Sequence, residues 1–258
     1  MLSIGLDLGW QSGPSGVCCL VFQDDEWTVQ SLDRLATLED VLRWLDEVAP
    51  DNTPAIIGVD APLVIPNETG MRSPDRLAHK YFGKYHAGCY PANRNSPFAD
   101  RLTAFSHALE ARGFQHAPCI HPQRAGRYQA EVFPHPASIQ LFGLSKILKY
   151  KKGRIAERAQ ALGQLRQLIL TQLPQHEPPL VISSLPAVPS GGKALKALED
   201  RLDSILCAYV AAYWWYWGTQ RNAVLGDGAC GYIVVPCPAG APVALSQFSS
   251  LQYSDSDK

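Results

Sequence analysis

The sequence predicts an α/β fold. Three observations carry that expectation: an opening series of short strands parted by turn residues, helical and strand-like segments interleaved further on, and acidic residues closing strands that otherwise hold almost no charge.

The first strand is LSIGLDL (2–8), which ends in Asp7 and a glycine. The loop WQSGPSG (10–16) is dense in turn formers, and GVCCLVF (16–22) returns as an apolar, partly β-branched run. Within it, Cys18 and Cys19 are adjacent and are expected on opposite faces of the strand. DDE then makes a turn before WTVQSL (27–32), so the first three strands read as an antiparallel meander. Thr37 opens a helix with Asp40 at the capping-box position, Leu38, Val41, Leu42, Leu45 and Val48 follow helical spacing, and Pro50 ends it. AIIGVDAPL (55–63) is nearly continuous in apolar residues, as a strand buried on both faces requires, and ends in Asp60.

Residues from about 66 to 127 are rich in Pro, Gly, Asn, Arg and His and read as a long irregular insertion with one helix-like stretch near 98–112. RYQAEVF (127–133) is again a strand and carries Glu131. A short helix around 137–141 follows, then the basic KILKYKKGR, a helix at about 155–173 and a Pro-rich surface connection. Residues 193–217 form a long helix holding Asp203, and NAVLGDGACGYIVVP is a hairpin turned at GDG. The expected organisation is one domain over 1–244, with a flexible polar tail over 245–258.

Composition narrows the classes. No stretch approaches the roughly 20 apolar residues of a membrane span. The N-terminus reads as a strand rather than an export signal, and the seven cysteines form no CxxC pair. Free thiols in a cytoplasmic protein are the expectation. The net charge of -1 hides an asymmetry: residues 72–158 hold fifteen Lys or Arg against five Asp or Glu, and the remainder eight against nineteen. His79, His86, His107, His116 and His121 fall in the same basic segment, which suits a polyanion, although a solvated surface offset by nearby acids reads equally well.

Four acids stand out: Asp7, Asp60, Glu131 and Asp203. The first three lie in or at the ends of apolar strands, and Asp203 lies in the apolar helix LDSILCAYVAAYW. A carboxylate in such surroundings is costly to desolvate unless paired or bound to a cation, and hard divalent ions take oxygen ligands. Singly, an Asp at a strand end before Gly or Pro is also a common turn or cap former. Glu199 and Asp200, about one helical turn from Asp203, are alternative second ligands or ordinary helix-surface acids.

The pieces IGLDLGW (4–10), GVDAPL (58–63), EVFPHP (131–136), YKKG (150–153), RLDSILCAYVA (201–211) and VLGDGACGYIVVP (224–236) occur in an order that resembles the ribonuclease H-like superfamily. More closely, the chain resembles an uncharacterised domain-of-unknown-function family predicted to be RNase H-like nucleases. That resemblance implies a mixed sheet of three antiparallel strands followed by parallel strands, flanked by helices, with the long basic insertion as an addition. It also implies Mg²⁺- or Mn²⁺-dependent phosphodiester hydrolysis of nucleic acid by a two-metal-ion mechanism. Asp7, Asp60 and Asp203 would be the metal ligands and Glu131 a fourth catalytic acid. Lys149, Lys151, Lys152, Arg154, Arg124 and Arg127, with Arg94, are candidates for phosphate contacts. Tyr81, Tyr85 and Tyr90 are candidates for stacking on unpaired bases, or for packing. Two rival expectations are an actin-like-type ATP-dependent kinase or ATPase, since LDLGW opens on a D-x-G strand, and a non-catalytic binding module; Trp214, Trp215 and Trp217 at a helix end would be its partner surface, although burial is the stronger reading of that cluster.

Overall fold

The computed structural model describes residues 1–248. Its main sheet has seven strands: β1 (Leu2–Asp7), β2 (Ser15–Gln23), β3 (Glu26–Leu35), β4 (Ala55–Val59), β5 (Gln115–His116), β6 (Arg127–Glu131) and β7 (Leu180–Val181). They lie in the order β5-β6-β4-β1-β2-β3-β7. β2 is antiparallel to both neighbours, whereas β4 pairs parallel with β1 and β6 pairs parallel with β4. The expected meander is therefore present, and the parallel strands extend the sheet on the far side of β1.

Helices cover both faces. α1 (Leu38–Val48) and α3 (Ala99–Glu110) bury Val41, Leu45, Leu102 and Phe105 against Ile4, Leu6, Ile57 and Val59. On the other face α4 (Pro134–Phe142), α5 (Ile155–Gln172) and α6 (Gly192–Trp217) pack on Cys18, Leu20, Ile56 and Ala130. The adjacent Cys18 and Cys19 accordingly enter different cores, as strand alternation dictates. α1 starts as its sequence signals: Thr37 accepts from the Asp40 N–H at 3.0 Å while Asp40 accepts from the Thr37 N–H. A third core joins α2 (Ser73–Phe82) to the hairpin β8 (Asn222–Asp227) and β9 (Gly231–Pro236).

Three sequence expectations change. Residues 66–127 hold more regular structure than expected: besides α3, which falls on the helix-like stretch near 98–112, they contain α2, and β5 adds to the edge of the sheet. The Pro-rich connection supplies β7, only two residues long and thus invisible to any periodicity. The hairpin turns at 228–230, two residues beyond GDG at 226–228, where Asp227 Oδ1 accepts from the N–H groups of Ala229 and Cys230 at 2.8 and 2.6 Å. At the start of the expected tail, Phe248 packs edge-on against Tyr81, and residues 249–258 lie outside the described residues.

α6 lies directly on the sheet. A Cβ at Gly5 would come within 2.0 Å of Ser204 O, one at Gly16 within 1.9 Å of Asp200 O, and one at Gly58 within 2.4 Å of Cys207 O. These glycines sit in β1, β2 and β4, and Gly5 and Gly58 are direct partners. Backbone contact is possible only because no side chain intervenes. Ser3 adds a hydroxyl bond to Ala208 O at 2.7 Å. Gly5→Ala should therefore destabilise the protein by about 3 kcal/mol or more, in the upper range for core overpacking. Urea unfolding measures this, and a loss below about 1 kcal/mol would mean that the helix can lift without cost.

Candidate carboxylate centre

Strand parity aims the acids. Asp7 is two residues after Gly5 and Asp60 two after Gly58, so both side chains leave the sheet on the face pressed by α6. Asp203 projects from the stretch of α6 between Asp200 and Ser204, whose carbonyls meet Gly16 and Gly5. Gly16 is the cross-strand partner of Asp7, so the helix and the strand end are locked at one place. Asp60 is fixed further by its N–H, which donates to Leu6 O at 2.9 Å. The Trp10 indole donates to Asp60 O at 2.8 Å.

Asp203 has no exposed surface. The Tyr150 hydroxyl donates to its Oδ1 at 2.7 Å, and Lys151 Nζ stands 2.8 Å from its Oδ2. That second contact is an ion pair without hydrogen-bond alignment, since Oδ2 has no hydrogen-bond partner. Asp7 and Asp60 line a cavity of 350 Å³, and neither carboxylate accepts a hydrogen bond among the described residues.

The electrostatics follow from crowding. Burial pushes the Asp7 carboxyl well above the usual range; Lys151 opposes the shift, while Asp203 and Asp60 add to it. Asp60 is pushed up to about 7, first by burial, with Lys151 lowering it and Asp203 and Glu131 raising it. Burial would lower Lys151, but Asp203, Asp7 and Asp60 outweigh it and hold the ammonium charged. His135 also lines the cavity, its ring 5.7 Å from that of Tyr150. Burial and Lys151 bring it down to about 4, so it is neutral at pH 7.

The other expected acids are committed elsewhere. Glu131 is the register partner of Val59, whose side chain enters the opposite core, so parity turns Glu131 away from Asp7 and Asp60. Arg72 grips it through both oxygens at 2.6 and 2.8 Å while also pairing with Asp75, and the Leu63 N–H donates to it. All three charged side chains are buried, so each depends on the others for neutralisation. Glu131 is thus a structural anchor of the cavity wall and not the free fourth acid that the resemblance implies. Glu199 pairs with Lys196 at 2.6 Å and Arg158 at 3.4 Å, and Asp200 with Arg34 at 2.6 Å and Lys196 at 2.7 Å.

The basic residues divide by sheet end. Lys151 belongs to the centre, and Lys149 and Lys152 line an adjoining cavity. Arg154 is exposed, and its N–H is bonded to Glu157 at the start of α5. Arg94 pairs with Glu68 on the surface. Arg127 begins the strand that Glu131 ends, so it lies at the opposite end of the strands, donating to Ala49, Pro50, Thr53 and Arg112 carbonyls. Arg124 is near it, its carbonyl accepting from the Trp215 indole. These two arginines are therefore removed from the acids, and Arg127 closes the end of α1. Trp214 and Trp215 are buried, the role the sequence favoured for that cluster, and the Trp217 indole donates to Glu177 O. Sequence reasoning missed Arg72, Tyr150 and Lys196. The Arg72–Asp75 pair had a local signal: Asp75, in the first turn of α2, accepts from the Arg72 N–H that precedes the helix.

Can this site hold a metal ion? Among the described residues no three or more His, Cys, Asp or Glu side chains are grouped so as to hold a metal ion. The donors nonetheless fit a hard divalent cation: two unpaired buried carboxylates face one cavity, and Asp203 Oδ2 lacks a hydrogen bond. Lys151 supplies the compensating charge. Asp7, Asp60 and Asp203 would be the residues to hold such an ion.

These features define an α/β protein with a buried three-carboxylate, one-lysine centre at the carboxyl ends of β1 and β4. The chain belongs to the family described as Protein of unknown function (DUF429), which matches residues 5–227 and so spans the whole centre. No curated protein matches the chain. No helix among the described residues is long and apolar enough to cross a membrane.

The raised Asp60 makes a pH prediction. In the unfolded chain an Asp releases its proton near 3.9, whereas folded Asp60 holds its proton to about 7. Between those values the folded state binds more protons, so this group's contribution to stability is lost as pH rises through the window. With chelator present, urea midpoints should fall more steeply from pH 4.5 to 7.5 in wild type than in Asp60→Asn. Parallel curves for the two proteins would contradict the assignment.

Proposed function

We propose that this protein is a divalent-cation-dependent hydrolase of phosphodiester bonds in nucleic acid, built on a ribonuclease H-like fold. The observation that carries the reading is the meeting of Asp7, Asp60 and Asp203 on one face, at the ends of two parallel strands and beneath one helix. Support for the fold comes from the run β3-β2-β1-β4-β6, in which a three-strand meander passes into parallel strands and the first strand lies centrally. Support for the chemistry comes from two carboxylates lacking protein partners beside a cavity ringed by lysine, arginine and neutral histidine.

Mg²⁺ or Mn²⁺ bound there would supply Lewis acidity and an acidified water, through one ion or a pair. The chain's own residues do the rest. Asp7 and Asp60 offer oxygens free of competing hydrogen bonds. The Tyr150 hydroxyl holds the Asp203 carboxyl in place through Oδ1, and Lys151 stands against its Oδ2. Lys151, in the cavity wall, can turn toward the charge of an entering phosphate, whereas Lys196 in the same wall stays paired with Glu199 and Asp200. Neutral His135 presents an imidazole whose Nδ1 is buried without a partner, a group able to accept or donate one proton. Arg72 keeps the Glu131 wall rigid from behind.

Cleavage of labelled single-stranded, duplex and hybrid substrates in Mg²⁺ and Mn²⁺ tests the reading. Asp7→Asn should lower the rate by at least about a hundredfold, the scale on which loss of a charge-stabilising group is felt, with the unfolding midpoint preserved or raised. Undiminished cleavage by Asp7→Asn, or none by the wild type in either metal, would overturn it.

A further inference from the structure

A second cavity, of 690 Å³, adjoins the carboxylate centre, and the two share Gly88, Cys89, Tyr90, His135 and Lys151 in their walls. Its own lining adds His79, His86, Lys149 and Lys152 and includes no Asp or Glu. Every charged group on its wall is therefore a potential cation or a hydrogen-bond donor, in contrast to the acidic site next door. The groove is assembled from two distant parts of the chain. The end of α2 and the turn after it bring His79 and His86, residues 147–152 bring the lysines, and the Ile147 N–H bonds Tyr85 O at 3.0 Å to hold the halves together. Gly88 is part of the construction: a Cβ there would come within 2.6 Å of His79 Nδ1, so only glycine lets that ring lie against the loop.

Tyr90 sits where the two cavities meet and is 71% exposed, the most exposed large hydrophobic side chain among the described residues. Lys152 Nζ is 3.4 Å from its hydroxyl and 6.0 Å from its ring centre, so the ring has a cation at its edge and a face open to solvent. Of the three tyrosines weighed for stacking, Tyr85 is buried and Tyr81 packs on Phe248, which leaves Tyr90.

We propose that this histidine–lysine groove is a strand-binding subsite that takes the phosphates of single-stranded nucleic acid, with Tyr90 stacking on an unpaired base and feeding the adjoining phosphodiester to the carboxylate centre. The reasoning is that an anion suits a wall of donors, while an exposed aromatic beside a phosphate track has a base face to meet only where bases are unpaired. A duplex presents its phosphates but hides those faces. This inference deepens the hydrolase reading and rests on it for the choice of phosphate as the anion.

The test is fluorescence anisotropy in excess chelator, where no cleavage occurs, with a short mixed-sequence labelled DNA single strand and its blunt duplex. The single strand should bind at least about tenfold tighter than the duplex. Tyr90→Ala should weaken the single strand by about tenfold, the scale of one lost stacking contact, and leave the duplex unchanged. Lys149→Ala/Lys152→Ala should flatten the log-log salt dependence by about 1.4, the release expected for two single-strand phosphate contacts. Equal binding of strand and duplex, or an unchanged affinity in Tyr90→Ala, overturns the subsite. Tight, Tyr90-dependent strand binding without cleavage in Mn²⁺ would sustain the subsite and sink the hydrolase. Cleavage indifferent to Tyr90→Ala would do the reverse.

Discussion

The backbone-to-backbone contact between α6 and the sheet is the constraint from which the rest of the structure follows. Three strands each give up a side chain where the helix crosses them, at Gly5, Gly16 and Gly58. The helix consequently rides a side chain's depth closer to the sheet than ordinary packing allows, and Asp203 comes down beside the ends of β1 and β4. Alternation then does the aiming. Residues two beyond Gly5 and Gly58 face the helix, and those residues are Asp7 and Asp60. A bulkier residue at any of the glycines would lift α6 and part the acids, so packing and site are one design.

Bringing three carboxylates together without water is costly, and the charges around them show how the cost is offset. Lys151 stands against Asp203 and acts on Asp7 and Asp60 as well. It leaves an excess of negative charge, which is why burial and mutual repulsion hold Asp7 and Asp60 up as acids. Around this centre lie further ion pairs: Arg72 with Glu131 and Asp75, and Lys196, Arg34 and Arg158 with Glu199 and Asp200. Those pairs fix the walls. The walls are thus held by ion pairs while Asp7 and Asp60 accept no hydrogen bond among the described residues, and the proposed cation site rests on that contrast.

Much of this was legible in the chain. The meander, α1 with its Thr37–Asp40 box, the doubly buried β4 and the long α6 all had strong local signals, because each depends on near neighbours in sequence. Asp7, Asp60 and Asp203 stood out as charges in apolar company, and the structure does crowd them together. The pairing of Gly5 with Gly58 was also written there, since IGLD and IGVD place a glycine two residues ahead of each acid. Its meaning depends on register, which no single segment reveals. Glu131 misled for the same reason: it ends a strand like the others, but on the other parity, and its buried partner Arg72 is 59 residues away. Arg127 and Arg124 lie close in sequence to site residues but at the opposite end of the strand. In the insertion the stretch that becomes α3 was legible, whereas β5, two residues long, offers no period to read.

The central claim is that Asp7, Asp60 and Asp203 form one divalent-cation site whose place is kept by Lys151. A crystal of the protein grown with Mn²⁺ and measured at the manganese edge tests it most directly. The account predicts an anomalous peak within ligand distance, about 2.2 Å, of at least two of the three carboxylates, with the Lys151 ammonium displaced from Asp203. A centre without manganese, its Lys151–Asp203 contact intact at millimolar Mn²⁺, would contradict it.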